Sequence, residues 1–292
     1  MGTVPKQGRY VSFLVVGNIN HDTTYNLPSS YEHQYVGKMR AVSREDTVGG
    51  SGANTARWLA ATGAEVWMCG RVGRDTEGGQ CIGALEKDGV HTDFVTVDAV
   101  NPTASAVIML AGSSKQIVSF QPRALEVSLA VDDIVATGVT AAHFSVADSP
   151  GLGVLAKSLA AAHIPVSVEL AGSTMESVRT YADVVLCNAE ELSSLFDIDV
   201  DLFSPADVCT LGNPATTWVV TNKGKNVVAV NKNTRTVVKV APVKIVQRLG
   251  GGDAFNAGML HSWRSGHTIV KAVQSGLLCA VEALKKTGAG PA

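Results

Sequence analysis

Charge is scarce in this chain. Asp, Glu, Lys and Arg make up 17% of its 292 residues, while the apolar fraction is an ordinary 46%. A disordered protein has the opposite balance, low hydrophobicity with high net charge, so disorder as the dominant state is excluded. Neither sign of charge is in excess: 24 Lys and Arg stand against 26 Asp and Glu, a net charge of −2. The basic residues are scattered rather than gathered into the stripe that neutralising phosphates requires, so no nucleic-acid partner is expected. No apolar run approaches the ~18 residues of a membrane span, and no membrane association is expected. Met1 to Arg9 carries a little positive charge but is not followed by the apolar stretch and cleavage site of a signal peptide. Cysteine is sparse too. Cys69, Cys81, Cys187, Cys209 and Cys279 are odd in number, widely spaced and form no C-x-x-C pair. Buried free thiols in a reducing cytoplasm are the expectation, ahead of a metal site or a nucleophile.

Several motifs are also missing. Gly224-Lys225-Asn226 and Gly37-Lys38-Met39 lack the Ser or Thr and the glycine spacing of a Walker A loop. No G-x-G-x-x-G follows a strand, which argues against a dehydrogenase, and H-E-x-x-H and G-x-S-x-G are absent. What is abundant is glycine, 29 residues, above the usual ~7%. The length suits one large domain, 1–292, since single cores stop growing near ~250–300 residues.

From Tyr10 to Ile19 a β-branched and aromatic run reads as a buried strand. Asn20 to Thr47 is polar, an excursion from the main body. A helical pattern from Gly52 stops at Gly63, and strand Glu65–Cys69, loop Gly70–Thr76 and helix Gln80–Lys87 follow. Thr103–Leu110 and Gln116–Phe120 form a β-hairpin. Strands at His143–Ser145, Pro165–Glu169, Asp183–Cys187 and Thr217–Val220 then alternate with helices at Leu152–Ala162, Ser173–Tyr181 and Leu192–Phe196. A hairpin of Val227–Val230 with Val237–Val240 precedes helices Ala254–Arg264 and Ile269–Lys286. Such alternation implies an α/β fold with a mostly parallel sheet covered on both faces, binding ligands beyond the carboxyl ends of its strands. The helix-free segments, about 20–48 and 103–121, are assigned to a small β lid. His143 and His163, each beside a strand, read as packed or capping residues.

Two glycine clusters open helices. In the first, Gly49-Gly50-Ser51-Gly52-Ala53-Asn54, the glycines allow close approach to the backbone, and Asn54 offers both donors and an acceptor to a polyhydroxyl molecule. A tight turn with Asn54 as mere surface polarity is the alternative. In the second, Gly250-Gly251-Gly252-Asp253, adjacent glycines are poor choices for stability, and their N–H groups at a helix start form an anion cradle. Asp253 is either a general base aimed there or a carboxylate favoured by the helix dipole.

These clusters, in this order, resemble the ribokinase (PfkB) family of small-molecule kinases over nearly the whole chain. Gly50 through Ala56, then Gly63, then Gly73 after nine intervening residues is similar to the family's first signature. Gly70 through Asp75 with Gly78, and Asp88-Gly89-Val90, are similar to its continuation. Asn188-Ala189-Glu190-Glu191 matches the N-x-x-E element, and Gly250 through Gly258 the second signature. The resemblance implies a ribokinase-like three-layer sandwich with a small β lid, and ATP-dependent phosphorylation of a hydroxyl of a sugar. An adenosine-like nucleoside kinase is the alternative acceptor reading, and a catalytically silent sugar- or nucleotide-binding regulator a third. It implies that Asp253 accepts the hydroxyl proton, that the amides of Gly250, Gly251 and Gly252 stabilise the moving phosphoryl group, and that Asp22, Gly49, Gly50 and Asn54 hold the substrate. Asp22 could equally be an ordinary turn residue. Asn188, Thr221, Lys223 and Gly224 fall on the nucleotide side, and Glu191 would organise Mg²⁺ through water. Asn188 and Glu191 are also spaced as a capping box. A homodimer through the lid is expected, since an exposed strand edge needs covering. One departure stands out: Gln247-Arg248-Leu249 replaces the family's Asp-Thr-x before Gly250, which puts a potassium site in doubt and lets Arg248 supply the positive potential instead.

Overall fold

The strand Ser12–Gly17 (β1) is buried at every position, as a strand covered on both faces must be. Phe13 and Val15 enter one hydrophobic core, Leu14 and Val16 the other. The computed structural model describes residues 10–28, 38–112, 114–149, 151–243, 249–285 and 290–291. After β1 come β2 (Asn20–Asn26), β3 (Ser43–Gly49), α1 (Ser51–Ala61), β4 (Glu65–Gly73), α2 (Thr76–Lys87), β5 (Val90–Asp98), β6 (Ala104–Ala111) and β7 (Ser114–Phe120). The alternating half follows with α3 (Val131–Ala136), β8 (Ala141–Ser145), α4 (Leu152–Ala161), β9 (Val166–Glu169), α5 (Glu176–Arg179), β10 (Val184–Asn188), α6 (Ala189–Phe196) and α7 (Pro205–Thr210). The chain continues through β11 (Thr217–Asn222), β12 (Asn226–Val230), β13 (Arg235–Lys239), α8 (Gly251–Arg264) and α9 (Ile269–Lys285).

The main sheet has nine strands in the order β13-β12-β11-β10-β9-β8-β1-β4-β5. Pairing is parallel from β5 through to β11 and antiparallel for the last two strands. Helices α1, α2, α8 and α9 contribute to the core on the Phe13 side, and α3 to α7 to the core on the Leu14 side, which makes three layers. The chain runs from β1 outward to β5 and then returns to β8 on β1's other flank. The strand order therefore reverses between β1 and β8, the place where such sheets bind ligands. The second sheet, β3-β2-β6-β7, is built from the two segments assigned to a lid.

Two local expectations need correction. The loop placed at Gly70–Thr76 is strand as far as Gly73, because β4 pairs there with β5. That edge strand, VHTDFVTVD, interleaves polar residues among its valines and leaves no clean apolar run. The helix placed over Ser173–Tyr181 is a single turn, since Ala171, Gly172 and Met175 have positive φ and bend the chain before it. Residues 244–248, with Gln247 and Arg248, lie outside the described residues. His143 is buried against the Ser167 hydroxyl at 3.0 Å, and burial lowers its pKa to about 3, so it is a neutral core residue. His163 takes the left-handed position just after α4.

Candidate active site

Gly17, Ser145, Glu169, Asn188 and Asn222 end β1, β8, β9, β10 and β11 on the carboxyl edge of the sheet. Helices α1 and α8 begin at the same edge. Their cap residues, Gly50 and Gly250, have φ of +89° and +71°, a region that β-carbon sterics make unfavourable for other residues. Among the described residues neither helix start has a side-chain cap, which leaves first-turn N–H groups of α8 to face an anion. Midway along its length α8 is held against α9 by close packing: a β-carbon on Gly258 would stand 2.5 Å from Cys279 Sγ.

The two glycine clusters meet through one hydrogen bond. Asn54 Nδ2 donates to Asp253 Oδ2 at 3.0 Å, across 199 residues of sequence. Asp253 is half-buried, and loss of hydration, with the Glu169 charge next, raises its pKa to about 8. Asp22, on β2, is 8% exposed, and burial raises its pKa to about 6 against a small opposing effect of His21. Gly49 leaves room for it, since a β-carbon there would sit 1.9 Å from Asp22 Oδ2. Among the described residues, Asp22 Oδ1 and Asn54 Oδ1 are buried without a hydrogen-bond partner. Buried acceptors are normally paired, and a hydroxyl-rich ligand would pair both.

Glu169 was missed in the sequence reading. It ends β9 and accepts from the Ser145 hydroxyl at 2.6 Å. Burial raises its pKa, and the neighbouring Glu191 charge adds to the effect. The available signal was an acid closing an otherwise apolar strand, Val166–Glu169. Glu191 is tied into a capping box: its carboxylate accepts from the backbone N–H of Asn188 at 3.0 Å and of Gly172 at 3.1 Å, and Asn188 Oδ1 accepts from the N–H of Glu190 and Glu191. The structural reading of that pair is realised. Among the described residues no group of three or more His, Cys, Asp or Glu side chains is placed to hold a metal ion alone. Glu169 and Glu191 nonetheless give two interacting hard carboxylates, which fits Mg²⁺, an ion that keeps several waters and takes few protein ligands.

Beyond the α8 start lies a cavity of about 420 Å³. Thr221, Lys223 and Gly224 line one wall, Gly251, Gly252 and Phe255 another, and Val227 and Leu284 are among the apolar residues between them. Lys223 and Gly224 have positive φ and make the β11–β12 turn, closed by the N–H of Lys225 on the carbonyl of Asn222 at 2.7 Å. Lys223 pairs with Glu190 at 2.5 Å, both well exposed, a contact worth little to stability.

The uncapped start of α8 thus lies beside a carboxylate of raised pKa, with buried acceptors on one side and an apolar cleft on the other. The chain belongs to the pfkB family of carbohydrate kinases, whose model matches residues 12–292, and it is a kinase. It is 28% identical over 258 residues to an uncharacterised sugar kinase of Archaeoglobus fulgidus, covering 79% of this chain and 96% of the relative. Its fold is similar to the structure of Arabidopsis thaliana ribokinase complexed with ribose and ATP, with a TM-score of 0.82, 22% identity, and 96% and 94% of the two chains covered. A nucleoside kinase of Methanocaldococcus jannaschii, from the ribokinase family, also shares the fold, with a TM-score of 0.73, 16% identity, and 97% and 94% covered.

Proposed function

We propose that this protein transfers the γ-phosphoryl group of ATP to a hydroxyl of a sugar. The observation that carries the reading is the Asn54–Asp253 hydrogen bond, which brings the hydroxyl-binding cluster and the anion cradle to one point. Asp22, Asn54 and the backbone at Gly49 and Gly50 hold the acceptor, with the unpaired oxygens of Asp22 and Asn54 receiving its hydroxyl protons. Asp253 takes the proton of the reacting hydroxyl. The oxygen attacks the γ-phosphorus, the bond to the β–γ bridging oxygen breaks, and ADP leaves. Amides of Gly250, Gly251, Gly252 and Asp253 stabilise charge on the moving group, the kind of preorganised electrostatics on which phosphoryl transfer depends. The base of ATP occupies the apolar cavity by Phe255 and Val227, with Thr221, Lys223 and Gly224 at its rim and Asn188 setting the start of α6 beside it. Glu191, through water, and Glu169 would hold Mg²⁺, which would supply positive charge to the phosphates of ATP.

The polar acceptor pocket favours a sugar over a nucleoside. A panel of ribose, fructose, sugar phosphates, ketodeoxygluconate, adenosine, inosine and cytidine under Mg-ATP tests this, and phosphorylation of nucleosides alone would overturn it. The exposed lid edge β7, with Val118 and Phe120 uncovered, supports a homodimer, to be checked by sedimentation. Free cysteines, three of them buried, suit a reducing cytoplasm. Among the described residues no helix is long and apolar enough to cross a membrane.

A further inference from the structure

Strand β7 carries a lysine for which the sequence reading gave no role. In the small sheet Asp22 pairs with Ala106, and Asn26 with Leu110. Ala106 in turn pairs with Ser119, Ile108 with Ile117 and Leu110 with Lys115. Directly paired residues share a face and alternate residues repeat it, so Lys115, Ile117 and Ser119 project from the same face of the lid as Asp22. That is the face turned to the cleft: Asp22, Thr24, Ala106 and Ile108 on it are buried, whereas Val107 and Val118 on the other face are exposed. Lys115 is therefore set on the inner surface of an overhanging strand, at the end away from the lid's base, on a long flexible stem. Its charge reaches Asp253, where it opposes the rise in pKa caused by burial, Glu169 and Asp22.

We propose that Lys115 is a catalytic residue supplied by the lid, whose ammonium contacts the phosphoryl group as it moves between ATP and the acceptor. The inference rests on the kinase reading above. The cradle of Gly250 to Gly252 would meet the phosphoryl group from the α8 side, and among the described residues the charges that act on Asp253 are Glu169, Asp22 and Lys115, of which Lys115 alone is positive. A group that gathers negative charge over its three equatorial oxygens gains from a cation opposite the cradle. Carrying that cation on the lid ties full activity to the acceptor being enclosed, which also excludes water from ATP.

The test compares K115M and K115R with the wild type on whichever acceptor the panel identifies. K115M should lower kcat by roughly 10²-fold, the scale of losing one charge-stabilising group, with KM for the acceptor changed less than about threefold. K115R should recover much of the rate. Binding of ADP with aluminium fluoride, a mimic of the moving phosphoryl group, should weaken at least tenfold in K115M while ADP alone binds as before. Titration of the Asp253 carboxyl, followed by ¹³C NMR without ligands, should move to higher pH in K115M. Lys115 is exposed, so the variants should melt as the wild type does. An unchanged kcat and unchanged analogue binding would overturn the proposal. So would a KM effect confined to acceptors bearing a phosphate or carboxylate, which would assign Lys115 to the acceptor. A wild type that phosphorylates nothing in the panel would instead defeat the kinase reading, and the proposal with it.

Discussion

Replacing Asp22 with Asn should stabilise the unliganded protein while damaging its activity. The carboxylate is buried, one of its oxygens has no partner, and its pKa rises from 3.8 to about 6 in the folded state. A raised carboxyl pKa means that the folded protein holds the proton more tightly than the unfolded chain. The folded state is therefore penalised once both forms are ionised: the penalty begins as pH rises past about 4 and is complete above about 6. Two pKa units at about 1.4 kcal/mol each set an upper bound near ~3 kcal/mol, and relaxation around the site brings the expected value to roughly 1–3 kcal/mol. Asn has the same shape beside Gly49 and no charge to bury. In urea melts without ligand, D22N should gain over the wild type progressively from pH 4.5 to 6.5 and hold a constant gain from there to pH 8, with Tm a few degrees higher at pH 8. Acceptor KM should rise at least tenfold in the same protein, the familiar exchange of stability for function. A D22N protein less stable than the wild type at pH 8, or a gain that does not vary with pH, would refute the reasoning.

Gly252 offers a second separation of stability from chemistry. A β-carbon there meets nothing within 4 Å and the backbone is not left-handed, so G252A should raise stability by about 0.5–1 kcal/mol. Its methyl would stand in the anion cradle, and phosphoryl transfer should fall at least tenfold; a rate equal to wild type would remove Gly252 from the site. Glu191 has both a structural and a proposed metal role. E191A should lose the cap and about 1 kcal/mol in chemical denaturation, whereas E191Q keeps the Asn188 contact and most of that stability but should need several-fold more Mg²⁺ for half-maximal rate. Equal Mg²⁺ requirements in E191Q and wild type would leave Glu191 with the cap alone.

The sequence carried more of the fold than of the site. Strand–helix alternation from His143 onward was readable because buried parallel strands are unbroken apolar runs, and the strands of the second sheet were readable because their segments lack helices. β5 was not, since His91, Thr92 and Asp93 interrupt its periodicity. Both glycine clusters were visible as residues that are poor for stability and useful for bare backbone, and the spacing of Asn188 and Glu191 announced the capping box that is present. What sequence order hides is convergence. Asn54 meets Asp253 only because α1 and α8 pack side by side at the edge of one sheet, Glu169 joins them because β9 ends there, and Lys115 reaches them only through the register of three lid strands.

Whether Asp253 removes the proton of the acceptor hydroxyl is decided by comparing D253N with the wild type. Under Mg-ATP and a saturating acceptor, D253N should bind nucleotide and acceptor within a few-fold of the wild type while kcat falls at least ~10²-fold. The wild-type kcat/KM should also decline as pH falls through a value well above the ordinary carboxylate range, reflecting the raised pKa of Asp253. A D253N enzyme that turns over at the wild-type rate would contradict the account.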